Sequence, residues 1–89
     1  MTYVIDGEFE HGDSRGNKGR YGFGDVQWLT TGKGVLHSEM FATDKVPEGK
    51  TKVTHESFQL WLNLPARLKM CEPAYEMLWA KDIPKVRNL

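Results

Sequence analysis

The stretch GKGVLHSEM at residues 32–40 sets a histidine two positions before a glutamate, in a chain that has only three histidines. In an extended strand alternate side chains share a face, so His37 and Glu39 project together while Leu36, Ser38 and Met40 point the other way. An imidazole and a carboxylate on one face suit a divalent first-row metal, above all the non-haem iron type that keeps coordination positions open for substrate. Such a site needs at least three protein ligands, and His11 and His55 lie in other segments whose pairing the spacing does not fix. On the residues alone, a hydrogen-bonded His and Glu at a barrel mouth is the simpler reading and the metal site the more specific one.

Short extended segments must position this pair. Residues 2–5 are β-branched and aromatic, and Asp6-Gly7 is a turn pair before residues 8–11 resume an extended pattern, which predicts a hairpin. The run GDSRGNKG at 12–19 reads as a loop, residues 20–23 as a short strand and Gly24-Asp25 as a tight turn. In the next strand, residues 26–31, Val26, Trp28 and Thr30 share one face and Gln27, Leu29 and Thr31 the other. Gly32 and Gly34 flank Lys33 in the turn that leads to residues 35–40. Residues 42–52 are a polar loop, and 53–64 form the longest strand candidate, with Phe58, Leu60, Leu62 and Leu64 opposite Gln59, Trp61 and Asn63. Pro65 ends it, residues 66–70 suit a helical turn, and the spacing of Tyr75, Leu78 and Trp79 predicts a short helix over 75–81. Five short strands punctuated by glycine turns indicate an all-β antiparallel barrel or sandwich.

Composition narrows the function classes. A chain of 89 residues makes one small domain with a thin core. Twelve basic residues balance twelve acidic ones, so no global field draws the chain to nucleic acid or to an anionic membrane. Lys45, Lys50 and Lys52 are offset by Asp44 and Glu48, which makes that loop a solvated one. No apolar run approaches the roughly 20 residues of a membrane span, and the start lacks a signal peptide's pattern. The expectation is a soluble, intracellular protein, cytoplasmic or nuclear, with no direct nucleic-acid or membrane partner. Cys71 is alone, so no intrachain disulfide forms, and it has no basic neighbour in sequence to activate the thiol. Trp28, Trp61 and Trp79 read as core or strand-face packing, since no basic stripe accompanies them. No P-loop, dinucleotide fingerprint, nucleophile elbow or paired-cysteine zinc motif is present.

Read together, YVIDGEFEHGDSRGNKG, FGDVQWLTTGKGVLHSEM and FQLWLNLPARLKMCEPAYEMLWAKDIP closely resemble consecutive blocks of the N-terminal domain of pirins, a bicupin family. The resemblance runs from Thr2 to about Pro84, with the blocks in the family's order. It implies a partial cupin, a jelly-roll-like β-barrel truncated at its N-terminal strands and lacking the second cupin domain. In that layout residues 1–64 are the barrel portion and 65–89 a C-terminal extension with a short helix. Phe23 departs from the family's usual proline, while Gly24 and Asp25 of the turn are kept.

The resemblance further implies a single iron held by three His and one Glu. His37 and Glu39 match the last two ligands, and the first two belong to a His-x-His segment just upstream of the strand aligned with residues 1–5. Two functional classes are attached to the family: quercetin 2,3-dioxygenases, and co-regulators that bind transcription factors. With half the iron ligands, the expectation is a protein that acts through contacts with other proteins. The alternative is a quercetin 2,3-dioxygenase-like oxidoreductase whose site is completed by His11, His55, water or a second subunit. Uncovered strand edges also predict a homodimer.

Overall fold

A computed structural model describes residues 1–88, arranged as seven strands and two short 3-10 turns. The strands are β1 (Thr2–Asp6), β2 (Phe9–Asp13), β3 (Lys18–Tyr21), β4 (Val26–Thr30), β5 (His37–Phe41), β6 (Glu56–Gln59) and β7 (Ala74–Leu78). They form two antiparallel sheets, one in the order β6-β1-β4-β7 and the other β3-β2-β5. The all-β reading of the sequence therefore holds.

Three elements differ from the sequence-based expectation. Residues 2–13 do not fold back as a hairpin, because β1 and β2 belong to different sheets. Gly7 lies between them with φ of 80°, and a Cβ there would come within 2.5 Å of the Thr54 carbonyl oxygen and the His55 ring. The Asp6-Gly7 pair thus turns a corner from one sheet to the other instead of reversing the chain. Residues 74–78 are strand β7, not a helix, with only a 3-10 turn at Ala80–Asp82. The apolar side chains of this segment fit both periods, and pairing of β7 along β4 from Ala74↔Thr30 to Leu78↔Val26 decides for the strand. The long strand candidate at 53–64 narrows to β6, whose ladder with β1 is interrupted by a register shift between Val4 and Asp6. The 3-10 turn at Ala66–Leu68 follows Pro65, as the sequence indicates.

The two sheets meet over a small core of Val4, Phe9 and Tyr21, with Met77 packed against it. Phe9 stacks on Tyr21 at 5.8 Å and meets Phe41 edge-on at 5.3 Å. Extents of 48 × 38 × 18 Å and a radius of gyration of 15.0 Å describe a flat body; a compact domain of this length has a radius of about 12 Å. Much of the apolar surface accordingly stays open, including Trp61 at 90% exposure. That corrects the expectation of packing for this tryptophan, whereas Trp28 on β4 and Trp79 just after β7 are partly covered.

The turn after β4 is held by a close backbone approach. Gly32 has φ of 50°, and a Cβ on it would come within 2.1 Å of the Cys71 carbonyl oxygen, which accepts the Lys33 N–H at 2.9 Å. Gly16 has φ of 84° but open space around it. Both Gly→Ala changes strain the backbone, and only Gly32→Ala must also displace a partner chain segment. Urea unfolding is expected to show a loss of about 1 kcal/mol for Gly16→Ala and at least twice that for Gly32→Ala.

Candidate functional site

The register of β2 against β5 sets Glu39 opposite His11 and His37 opposite Asp13. Residues directly opposite in a sheet share a face, so two histidines and two carboxylates form a patch on the inner side of the β3-β2-β5 sheet. His37 and Glu39 do project together, as the alternation predicts. Both line a cleft of about 700 Å³ whose other walls are residues 1–2, 27–31 and 59–64.

His11 organises the patch. Its Nδ1 lies 3.0 Å from Glu39 Oε1 and its Nε2 2.7 Å from Asp13 Oδ2. Both ring nitrogens are thus within hydrogen-bonding distance of a carboxylate oxygen, and the Gln27 amide nitrogen lies 3.4 Å from Nδ1. The side chains of His11 and Asp13 are fully buried, and the imidazole lies between the rings of Tyr75, at 4.6 Å, and His37, at 5.8 Å. Asp13 also accepts from the Arg15 and Asn17 backbone N–H groups at 2.9 and 3.1 Å, closing the turn between β2 and β3. These bonds, that to His11 first, hold its carboxyl well below the usual carboxylate range.

Glu39 receives donors from both sheets. Tyr21 Oη donates to its Oε2 at 2.9 Å, and Gln27 Nε2 reaches across from β4 to its Oε1. The carboxylate fixes the orientation of the Gln27 amide, because the flipped form would set two acceptor oxygens against each other. Gln27 is 3% exposed, and its Oε1 is buried with no partner. Burial, and then the Glu39 charge, push the Tyr21 phenol far above its ordinary pKa, so it stays a donor.

The third histidine lies elsewhere. His55 Nε2 is 3.0 Å from the Ala42 carbonyl oxygen, and its ring packs at 5.4 Å from Phe9 and 5.1 Å from Phe41, at the apolar end of the sheet. It does not join His37 and Glu39. Tyr21, Gln27 and Asp13 are the functional neighbours that sequence reasoning missed. The signal available for Gln27 was its position beside Leu29 on the face opposite Trp28, a polar residue within an inward set.

As a donor set for a divalent metal, this patch fits in kind and falls short in number. His37 is exposed and stacked against His11 without a polar partner of its own, and Glu39 keeps a quarter of its side chain accessible. His11 has both nitrogens engaged. Among the described residues no three His, Cys, Asp or Glu side chains converge as a metal-binding group.

Two sheets facing each other, with a His-x-Glu strand on the inner face of one, define a cupin-type fold. Residues 1–62 match the Pirin family, and the chain belongs to that family. It is 46% identical over 88 residues to a pirin-like protein of Solanum lycopersicum, covering 99% of this chain and 28% of that protein. It superimposes with a TM-score of 0.79 on the crystal structure of GK1651 from Geobacillus kaustophilus, at 47% identity, covering 98% of this chain and 32% of that one. A quercetin 2,3-dioxygenase from Acinetobacter baumannii gives a TM-score of 0.78 at 44% identity over 93% of this chain and 28% of its own. The chain therefore spans less than a third of each of these relatives. No helix among the described residues is long and apolar enough to cross a membrane.

The depressed Asp13 carboxyl ties stability to acid. A carboxyl whose pKa is lowered by folding contributes stability that is complete above its unfolded value, near 4, and is lost as pH falls through the folded value. Thermal unfolding followed by circular dichroism is expected to show a midpoint that drops below about pH 4, with a shallower drop and a lower neutral-pH midpoint in Asp13→Asn.

Proposed function

We propose that the chain acts through contacts with other proteins, in the manner of the co-regulator class of pirins. His37 and Glu39 serve in it as two ligands of a non-haem iron site that is not self-sufficient. The observation that supports this reading is the commitment of His11: the one further histidine near the pair spends both ring nitrogens on Asp13 and Glu39. Two remaining ligands bind iron weakly and leave most of its coordination sphere to water.

Iron content after loading with Fe(II) and desalting is the test. Iron well below one per chain is expected. Equilibrium dialysis at high Fe(II) should show a weak residual affinity that His37→Ala abolishes and His55→Ala leaves unchanged. Stoichiometric iron retained by a monomer would overturn the reading.

A second reading, metal-dependent oxygen chemistry on a flavonol of the quercetin type, is favoured by the cleft. Its volume of about 700 Å³ falls within the 300–1,000 Å³ usual for small-molecule sites, and Trp28, Leu29 and Trp61 give it apolar walls beside His37 and Glu39. A bound iron would supply oxygen activation; the chain's own part would be to hold the metal through those two side chains and to seat the ring system. Consumption of O₂ coupled to loss of flavonol absorbance in Fe(II)-loaded protein, absent in Glu39→Gln, would establish it.

A further inference from the structure

Asp6-Gly7 is the one place in the chain where an aspartate or asparagine precedes a glycine. A glycine has no side chain to shield its own amide nitrogen, so that nitrogen can reach the carbonyl carbon of the preceding side chain. The Gly7 nitrogen bonds to Asp6 Cγ, the carboxylic acid gives up its hydroxyl and the amide its hydrogen as one water, and a cyclic imide closes. Water then opens the imide at either carbonyl. One opening restores aspartate; the other leaves isoaspartate, in which the main chain runs through the former side chain. The net change is an isomerisation that needs no reagent but water.

The fold brings these groups together and then holds them short of reaction. The Asp6 side chain is 34% accessible, and the Gly7 N–H donates to its Oδ1 at 3.0 Å. In that bond the amide hydrogen faces an oxygen, so ring closure requires the carboxyl to turn until its carbon faces the nitrogen. Thr54 Oγ1 donates to the other oxygen, Oδ2, and Lys50 Nζ lies 3.4 Å from it. Turning breaks both contacts. The same donors, Thr54 first, hold the carboxyl below the usual carboxylate range, and the ionised form has no hydroxyl to give up. Asp6 is also paired with Glu56 in the β1–β6 ladder, just past the register shift. We propose that Asp6-Gly7 is a latent modification site, guarded by Thr54 and Lys50, that turns to isoaspartate when the segment carrying those two residues lifts away. The product would add a carbon to the chain at the corner between β1 and β2, where a Cβ on Gly7 would already come within 2.5 Å of the Thr54 carbonyl oxygen and the His55 ring. β2 carries His11 and Asp13, so a displaced corner moves the strand that organises the patch around Glu39. The inference goes beyond the protein-contact reading and holds or fails without it.

The test ages the full chain at neutral pH, in native buffer and in urea, and maps the products with an endoprotease that cuts before aspartate and not before isoaspartate. Isoaspartate is expected at residue 6, forming severalfold faster in urea than in native buffer. Thr54→Val, which keeps the shape of the side chain and removes its hydroxyl, is expected to raise the native rate by about fivefold, the weight of one ordinary hydrogen bond. Lys50→Gln, at an exposed position, should raise it by less with the circular dichroism spectrum unchanged, and it decides the matter if Thr54→Val does not fold. Aged wild-type protein should unfold at a lower temperature than fresh protein. Asp6→Glu, whose longer side chain closes such a ring far more slowly, should show no such drop. Equal rates in native buffer and in urea would overturn the guarding, as would ageing of both variants at the wild-type rate. No isoaspartate at residue 6 even in urea would overturn the site itself.

Discussion

Glu39 is the residue on which the two sheets agree. It lies on β5 in one sheet, accepts from Tyr21 on β3, meets His11 Nδ1 on β2 at 3.0 Å, and takes the Gln27 amide from β4 of the other sheet. Among the described residues the buried core is Val4, Phe9 and Tyr21, so the hydrophobic contribution to joining the sheets is small. A carboxylate in a partly dry interior, bonded to several donors, is a stronger and more directional tie than its neighbours' packing. Its demands explain why a glutamine and a histidine are buried in so thin a core. Each would cost stability without a partner, and each finds one in the same group.

The same arrangement sets what the histidines can do. His11 is a structural link because it sits between Asp13 and Glu39, and His55 is a wall of the aromatic cluster around Phe9 and Phe41. His37 alone has a ring free to turn toward the cleft. Identity of residue type therefore says little about role here; the partner opposite in the ladder decides it.

The strand alternation made the common face of His37 and Glu39 legible, and the glycine and proline punctuation marked most turns. What the sequence hid follows from long-range pairing. That Asp6-Gly7 turns a corner depends on His55 and Thr54, which crowd Gly7 from far along the chain. That residues 74–78 are extended depends on the open edge of β4, which overrides a helical spacing of aromatic residues. Asp13, Tyr21 and Gln27 joined the site only through cross-strand register, which no local pattern encodes. The family resemblance reached further, to the fold, because the blocks that carry it are scattered along the chain in the order the topology requires.

The central position of β1 also governs how the protein comes into being. Its partner on one side, β4, is made early, but its partner on the other, β6, ends at Gln59. At a synthesis rate of about 5–20 residues per second, the first strand emerges and then waits for several seconds with an unmatched backbone edge. During translation that edge is open to any extended chain nearby, so the interval between the synthesis of β1 and that of β6 is when this sheet most needs protection.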